Sequence, residues 1–281
     1  MFRIRTIFGT AFAVIWLGLV VGSSPAFGIT FFSPVTGFED DDIEFLVDTN
    51  NNGTIDIGER LVGVAEFNVT HSIPPGSSAP IAPQELTAVF DLTVTGKVCS
   101  GGLCTFTFGA TGAGGVLAGQ PAGTAVTLYI DNVDDLNLIS LNCTSLADCV
   151  DKANNGSIFF NAGFYGDPDA VWRADGASDN IAVVRGIEES QSLGIYNFCL
   201  DIANNNTGLT LAPQNCVFGG QTTVVGGGVV KGGAGLPTFD GLFARSDNDF
   251  QLRAVPEPST LLLLGAGLIG VSFVARRRVK K

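Results

Sequence analysis

Short runs in which apolar and polar residues alternate are the feature that most constrains how this chain folds. Successive side chains of a β-strand point to opposite faces, so an alternating run predicts a strand with one buried face. Glycine, asparagine, aspartate and proline punctuate these runs, as is typical of turns. Eight of the predicted strands are residues 64–69, 86–94, 105–108, 124–130, 157–164, 180–185, 194–202 and 250–254. About ten to twelve such strands predict an all-β domain, an antiparallel β-sandwich or jelly roll, with room for one helix near residues 145–153.

The first residues of the chain have the composition of an export signal. Arg3 and Arg5 form a basic start, residues 7–21 form an apolar stretch, and residues 26–28 read Ala-Phe-Gly. This small-x-small ending is typical of a signal-peptidase cleavage site. We therefore predict a signal peptide over residues 1–28 and a mature start near Ile29. An uncleaved N-terminal anchor is the alternative.

Six cysteines in an exported domain predict disulfides, because the compartments outside the cytoplasm are oxidising. Six cysteines allow about 15 pairings, and their clustering along the chain favours three local ones. The favoured pairs are Cys99–Cys104, Cys143–Cys149 and Cys199–Cys216. A zinc site is the alternative. The spacings lack paired C-x-x-C knuckles and the chain has a single histidine, both of which argue against zinc.

The acidic balance of the chain argues against nucleic acid as a partner. It has 27 acidic and 15 basic residues, a net charge of −12, and several of the basic residues are crowded into 276–281. Such a surface repels phosphate, whereas it attracts divalent cations and favours solubility. An acidic surface that only keeps a secreted protein soluble is the simpler interpretation.

The segment from Asp48 to Glu59 carries the clearest metal-binding pattern. Its sequence, DTNNNGTIDIGE, fits the calcium-loop pattern D-x-[DN]-x-[DN]-G-x5-E at every position. In such a loop oxygens converge as the chain curls, a glycine permits the sharp turn, and the last glutamate supplies two oxygens. The segment resembles an EF-hand or dockerin loop, but its flanks predict strands rather than helices, and Ile55 takes the buried position. The predicted Ca²⁺ ligands are Asp48, Asn50, Asn52, the Thr54 carbonyl, Asp56 and Glu59. An asparagine-rich hairpin turn with accidental oxygens is the alternative.

A second polar segment, residues 165–180, is a candidate glycan contact. Tyr165 and Trp172 could stack on a sugar ring while Asp167, Asp169 and Asp175 bind hydroxyl groups or a cation. The alternative is a long inter-strand loop whose tryptophan is tucked into the core. The glycine-rich stretches 109–123 and 219–235 are predicted to be loops at one end of the domain, or a flexible contact surface.

Catalytic signatures are scarce in this sequence. His71 is the only histidine and lies beside an evident turn, and no G-x-S-x-G, H-E-x-x-H or phosphate-binding loop is present. A carboxylate pair for glycoside hydrolysis needs only two acids at a set separation, so a glycan hydrolase stays open as a lesser alternative. We predict that the protein is not an enzyme.

Residues 255–281 have three parts in a fixed order. Pro256, Glu257 and Pro258 form a short extended motif, because proline is excluded from a helix interior. Residues 261–275 contain one polar residue and would span roughly 22 Å as a helix, short for a bilayer core of about 30 Å. We predict a marginal transmembrane helix there. The residues predicted to stop it at the cytoplasmic face are Arg276, Arg277, Arg278, Lys280 and Lys281.

This order of motif, span and basic cluster resembles the tail of the PEP-CTERM proteins of Gram-negative bacteria, which are substrates of the membrane protease exosortase. The resemblance implies exosortase as a partner, a transient stay in the inner membrane, and a mature form at the cell surface or in the extracellular matrix. An anchor that is never cut is the alternative.

The resemblance also implies a link to exopolysaccharide, biofilm or floc formation. We therefore expect residues 29–254 to form the secreted β-rich domain of a non-enzymatic matrix or surface protein, which could bridge acidic polysaccharide through calcium. A carbohydrate-binding module that uses Trp172 is the first alternative function.

Overall fold

Long antiparallel strands make up most of the protein. The computed structural model describes residues 29–255 and 265–269, of which 265–269 are helical. The predicted signal peptide, the motif at Pro256, Glu257 and Pro258, the basic residues 276–281 and most of the predicted span 261–275 lie outside the described residues.

Residues 29–255 form fifteen strands and three short helices. The strands are β1 (Val35–Val47), β2 (Arg60–Ile73), β3 (Ser78–Pro80), β4 (Glu85–Ser100), β5 (Leu103–Ala110), β6 (Thr124–Asp131), β7 (Ser157–Gly163), β8 (Val171–Ala177), β9 (Ser192–Asn205), β10 (Thr210–Leu211), β11 (Gln214–Asn215), β12 (Gln221–Thr222), β13 (Val224–Lys231), β14 (Leu242–Leu252) and β15 (Ala254–Val255). The helices are the 3₁₀ turn Gly112–Gly114, α1 (Leu146–Ala153) and α2 (Ile181–Arg185).

The main sheet closes on itself, which corrects the expected sandwich to a barrel-like architecture. Eight antiparallel strands pair in the order β1, β14, β13, β9, β8, β5, β4 and β2, and β2 pairs again with β1. The all-β prediction is confirmed, with 51% of the structure in strands. Alternation predicts one buried face per strand in either architecture, so it could not distinguish a closed sheet from two stacked ones.

Two long strands divide between two sets of partners. The first half of β4 pairs with β6 and its second half with β5, and β9 divides in the same way between β7 and β8. The β6–β7 pair therefore forms a second connection between β4 and β9 beside the β5–β8 pair. The sheet therefore branches, and β6 and β7 join it in addition to the eight strands of the ring.

Aromatic side chains fill the interior of the ring. Phe38 stacks on Phe250 with 4.4 Å between ring centroids, and Trp172 stacks on Phe198 at 4.6 Å. Each buried ring contributes on the order of 2 kcal/mol relative to an exposed one. Gly63 makes room for such a ring, because a Cβ atom there would lie 1.8 Å from the Phe90 side chain.

An outer layer covers one side of the ring. The segment between β6 and β7 contains α1, whose first turn is capped by the Ser145 side chain accepting from the Asp148 N–H. Two glutamates hold this segment down: Glu85 accepts from the Leu136 N–H at 2.8 Å and Glu66 from the Leu138 N–H at 2.9 Å. The second apolar cluster beneath the segment includes Ile43, Phe45, Val62, Val64, Leu136, Leu138 and Val150.

The structure corrects two of the predicted elements and confirms the predicted helix. Residues 180–185 were expected to be a strand but form α2, because the Asn180 side chain accepts from the N–H groups of Ala182 and Val183 and so starts a helix. Within the glycine-rich stretch 219–235, β13 is a strand between β9 and β14 rather than a loop. The helix near residues 145–153 is confirmed as α1.

The disulfides join the three pairs that the clustering favours. They are Cys99–Cys104, Cys143–Cys149 and Cys199–Cys216, with sequence separations of 5, 6 and 17 residues. The first closes the β4–β5 turn, the second ties the start of α1, and the third connects β9 to the segment before β12. No described cysteine is free.

The three disulfides should differ in what they contribute to stability. Loop-closure entropy predicts about 3 kcal/mol for the Cys199–Cys216 loop and about 2 kcal/mol for the Cys99–Cys104 loop. The double substitution Cys199→Ser/Cys216→Ser should therefore lower the free energy of unfolding, measured in guanidinium, by about 1 kcal/mol more than Cys99→Ser/Cys104→Ser. Equal losses, or a larger loss for the short loop, would contradict this ranking.

The buried Glu85 carboxyl should make stability fall as pH rises. Burial raises the pKa of Glu85 to about 7, whereas an unfolded glutamate titrates near 4.3. Between these values the folded state binds more protons, so the free energy of unfolding decreases with increasing pH. Glu85→Gln keeps an acceptor for the Leu136 N–H and carries no charge. Guanidinium unfolding should show it little changed relative to wild type at pH 4–5 and more stable by on the order of 2 kcal/mol at pH 8.

The exposed Glu188 provides the control for this measurement. Glu188→Gln should follow the wild-type pH profile throughout. If the Glu85→Gln profile also runs parallel to wild type, Glu85 does not carry the proton.

Candidate functional site

The predicted calcium loop connects two neighbouring strands of the ring. β1 ends at Val47, β2 begins at Arg60, and these two residues are register partners. Residues 48–59 therefore form the loop of a long antiparallel hairpin. The sequence prediction that strands rather than helices flank this segment is confirmed.

The loop curls around the side chain of Asp48. Its Oδ1 accepts from the Asn51 N–H at 2.6 Å and its Oδ2 from the Gly53 N–H at 2.8 Å. Gly53 has φ of 72°, a conformation that favours glycine. The hydrogen bond from Gly53, followed by others from the loop, lowers the pKa of Asp48, so this carboxylate is charged at neutral pH.

Two asparagines continue the curl. The Oδ1 atom of Asn50 accepts from the Asn52 N–H at 2.9 Å, and Oδ1 of Asn52 accepts from the Thr54 N–H at 2.8 Å. Their amide nitrogens both donate to Oδ2 of Asp56, at 3.3 Å from Asn50 and 2.8 Å from Asn52. The repeated turns follow the spacing of the motif.

Glu59 is the buried member of the set, with 2% of its surface exposed. Its carboxylate accepts from the Thr49 N–H at 3.3 Å and from the Asp56 N–H at 3.0 Å, and it shares a hydrogen bond with the Asp48 carboxyl group. Burial raises the pKa of Glu59. Two carboxyl groups this close need a shared proton or a cation between them.

Asp56 does not join this pair. Its Oδ1 atom accepts from Lys97 Nζ at 3.0 Å, and Lys97 also binds Asp179 at 2.8 Å. Hydrogen bonds from Asn52 and then Lys97 lower the pKa of Asp56. The structure thus brings Asp48 and Glu59 together and turns Asp56 towards a lysine. Of the predicted ligands, Asp56 would have to exchange this partner to reach a metal ion.

A segment far along the chain braces the loop. Thr54 forms a β-bridge with Asn180, the Ile55 N–H donates to the Asp179 carbonyl at 2.8 Å, and the Ile181 N–H donates to the Gly53 carbonyl at 3.0 Å. Ile55 is buried, as predicted. Sequence reasoning missed the contacts of the loop with Lys97 and residues 179–181 because these residues are distant in sequence, and no local pattern marks such contacts.

Side chains of the types that bind metals converge at one point among the described residues, and this point is not the loop of residues 48–59. Among residues 29–255 and 265–269, the groups of three such side chains whose ligand atoms lie close together reduce to Cys99, Cys104 and Asp179. Both cysteines are joined in a disulfide, so their sulfur atoms are not thiolate ligands. This cluster is therefore not a zinc site.

The expected glycan platform is not formed, because Trp172 lies in the core. It is 5% exposed and packs against Phe198, Tyr196 and Phe90. The position in β8 turns the indole into the ring, which is the alternative that the sequence left open. A ring enclosed on both faces has no surface for a sugar.

The other residues of the predicted glycan contact make local hydrogen bonds instead. The Tyr165 hydroxyl lies 3.0 Å from Thr124 Oγ1, and Asp167 accepts from the Asp169 N–H at 2.8 Å and shares a hydrogen bond with Asp201. Tyr165 and Asp167 are half-buried and do not gather around Trp172. Asp175 likewise binds its strand neighbours, Arg173 and Thr105.

Comparison with known proteins finds a match for one segment of the chain. The family model of the PEP-CTERM protein-sorting motif matches residues 254–278. No curated protein and no solved structure matches the chain. Within the part of the chain that the structure describes, no helix has both the length and the apolar character needed to cross a membrane.

The matched residues include the predicted motif at Pro256, Glu257 and Pro258, the apolar stretch and most of the basic cluster. The match indicates an exported, membrane-anchored precursor of a Gram-negative bacterium that exosortase processes. The chain therefore carries a PEP-CTERM sorting motif, which indicates an extracellular protein sorted by exosortase.

Proposed function

We propose that residues 29–254 are the mature domain of a non-enzymatic protein of the cell surface or extracellular matrix, associated with exopolysaccharide in a biofilm or floc. The observation that carries this proposal is the sorting motif over residues 254–278, because it marks the chain for export and processing. The motif carries no chemistry of its own, so the role of the barrel has to come from the barrel's own residues.

Three features of the domain support a durable matrix role. The closed ring has few free strand edges, which limits uncontrolled aggregation at the high concentrations of a matrix. The disulfides constrain the chain in the extracellular matrix, where chaperones are few. The acidic surface repels other copies and attracts divalent cations that can bridge acidic polysaccharide.

The loop of residues 48–59 is the part of this surface where we propose that Ca²⁺ binds. Asp48 and Glu59 already face each other, and the oxygens of Asn50 and Asn52 lie along the same curl. Calcium would replace the proton that these two carboxyl groups otherwise share, with Asp56 joining only after it leaves Lys97. This competition favours weak affinity, of order 10⁻⁴–10⁻³ M, as in other extracellular calcium modules.

The carbohydrate-binding alternative has no support from the described residues, since Trp172 is enclosed by other aromatic rings. Polysaccharide association is therefore proposed through charge and calcium rather than through stacking on a sugar ring.

Sorting predicts a defined processed mass. Protein recovered from its native host should begin near Ile29 and lack residues 276–281, and it should be found outside the inner membrane. Glu257→Ala should keep the intact tail in the inner-membrane fraction, whereas Ser259→Ala, just outside the motif, should be processed as wild type. Intact-mass measurement on each fraction checks this. A wild-type protein that retains residues 276–281 in the inner membrane would reduce the chain to a tethered domain and remove the support for the matrix role.

Calcium added to the folded protein should raise its melting temperature through the loop. At about 5 mM calcium, an affinity of this order stabilises the folded state by about 1–2 kcal/mol, which raises the melting temperature by several degrees. Glu59→Gln removes the charge with little change of shape and should abolish the rise. Scanning calorimetry with calcium, and with magnesium as a control ion, measures it.

Lys97→Met provides a test in the opposite direction. It releases Asp56 to act as a ligand, so calcium should bind this variant several-fold more tightly than wild type. If neither wild type nor Lys97→Met responds to calcium, residues 48–59 are only a turn.

A further inference from the structure

Strand β1 turns three carboxyl groups into the interior of the ring. Asp40, Asp42 and Glu44 occupy alternate positions on the strand and therefore share a face. They are 6%, 1% and 5% exposed. Acidic side chains are almost never this buried unless they are paired. These three residues, called the acidic row below, therefore need either partners of opposite charge or protons.

The two strands that flank the acidic row bring no charge to it. On β2, its register partners are Phe67, Ala65 and Gly63, which do not titrate. On β14, its neighbours are the buried residues Ser246 and Asn248, which are polar but neutral. Both flanking strands thus leave the carboxyl groups without a counter-charge.

The charged groups close to the row are themselves acidic or already paired. Asp41, Asp247 and Asp249 raise the electrostatic cost of charging the row from the outer faces of β1 and β14. Lys231 of β13 pairs with Asp247 at 3.1 Å on that outer face. None of the ion pairs formed by the described residues includes a member of the acidic row.

Hydrogen bonds tie the row to the strand on which the ring closes. The Ser246 hydroxyl donates to Glu44 Oε1 at 2.7 Å, and the Asn248 N–H donates to Asp40 Oδ1 at 2.7 Å. Strand β1 is the first strand of the ring and β14 is the last, so their pairing joins the two ends of the domain. The acidic row therefore lies along this β1–β14 seam.

A tyrosine reaches the row from across the interior. The hydroxyl of Tyr196, on β9, lies 3.5 Å from Asp42 Oδ2. Gly228 on the intervening strand β13 permits this approach, because a Cβ atom there would lie 2.8 Å from the tyrosine hydroxyl and 2.0 Å from the Asp247 carbonyl. The tyrosine offers a hydroxyl group but no positive charge at neutral pH.

Three buried oxygens in this group have no hydrogen-bond partner among the described residues. They are Asp40 Oδ2, Asp42 Oδ1 and the side-chain oxygen of Asn248. All three act as acceptors when the carboxyl groups are charged, so they cannot satisfy one another. A proton on a carboxyl group turns one of its oxygens into a donor and removes the charge at the same time. Protonation therefore supplies both of the things that the row lacks.

The electrostatics of the row agree with its geometry. Burial, followed by repulsion from neighbouring carboxylates, raises the pKa of Asp40 and of Asp42 well above the ordinary range. Burial raises the pKa of Glu44 to about 7. A buried carboxyl group without a counter-charge takes up a proton rather than remain charged.

Water does not replace these protons. A cavity of 40 Å³ is lined by Glu44 and Tyr196 among apolar side chains, and it has room for a water molecule or two. Such a water would hydrogen-bond to a carboxyl oxygen but would bring no charge. Neutralisation of the row still requires protons.

We propose that the acidic row is a pH-sensitive switch, which keeps the β1–β14 seam closed while its carboxyl groups carry protons and opens the seam when they lose them. In the open form the carboxyl groups meet water and titrate near their ordinary value of about 4. Above that value, opening the seam releases the protons that the closed form holds, so rising pH favours the open form. This proposal does not rest on the proposed function.

The register of β1 indicates why the seam opens rather than the other side of the strand. β1 pairs with β2 over its whole length, from Val35 to Val47. Its register with β14 skips Asp40 and Asp41 and shifts again after Glu44. The pairing that carries the acidic row is thus the less continuous of the two.

Hydrogen–deuterium exchange at several pH values tests the proposal. The folded protein, with its disulfides intact, is kept in EDTA, and exchange rates are corrected for the pH dependence of intrinsic exchange. From about pH 6 to about pH 9, protection of β1 and β14 should fall by up to about tenfold per pH unit for each proton released. Protection of β5 and β8, on the far side of the ring, should fall less. An equal fall in all four strands would overturn the assignment to the seam.

Adjacent residues on β1 provide matched variants. Asp42→Asn keeps the size of the side chain and carries no charge at any pH, so protection of its β1 and β14 should fall less steeply with pH than in wild type. Asp41→Asn, one residue away on the opposite face of the strand, should follow wild type. Equal pH slopes in Asp42→Asn and wild type would refute the switch. Glu44→Gln, which keeps an acceptor for Ser246, takes the place of Asp42→Asn if that variant does not fold.

Infrared spectroscopy detects the protons themselves and needs no variant. The C=O stretch of a protonated carboxyl group is separate from the bands of carboxylates and of the backbone. At about pH 7, above the ordinary range of aspartate and glutamate, wild type should show this band. Asp42→Asn should show less of it, whereas Asp41→Asn should match wild type. Absence of the band in wild type would overturn the proposal.

Discussion

The closure of the sheet through the β2–β4 and β8–β9 pairings is the constraint on which the rest of this structure depends. Each strand of the ring has its backbone groups paired on both sides, so its inward side chains face a space of fixed size. Rings stack in that space, and glycines on β2 and β13 are required where a ring or a hydroxyl group crosses it. The same closure traps the carboxylates of β1, which an open sheet would leave in water. What a side chain does in this protein follows first from the side of the ring on which it lies.

Closure also explains which parts of the structure could be predicted from the sequence. Alternating runs identified most strands, since each run needs only local information, and cysteine clustering identified the disulfides because each pair lies close in sequence. The ring itself is made by pairings between distant segments, and period-2 alternation is the same in a sandwich. Helix α2 was missed because an asparagine cap outweighed five residues of weak strand propensity.

In the candidate sites too, features set by local sequence were predictable and features set by distant contacts were not. The curl of residues 48–59 was predictable because every ligand position lies within one short motif, and the Asx turns around Asp48 follow that spacing. Lys97 competes for one predicted ligand from 41 residues away, and nothing near Asp56 indicates it. Trp172 was assigned to a loop because its neighbours are polar, yet strand β8 turns it inward. The acidic run of β1 was missed for the converse reason: composition predicts that aspartate and glutamate face water, and here tertiary closure overrides composition.

The three disulfides that complete the fold need an oxidising compartment. Thiols remain reduced in the cytoplasm, so the disulfides form only after export. The disulfides and the sorting motif in residues 254–278 therefore agree that the domain functions after export.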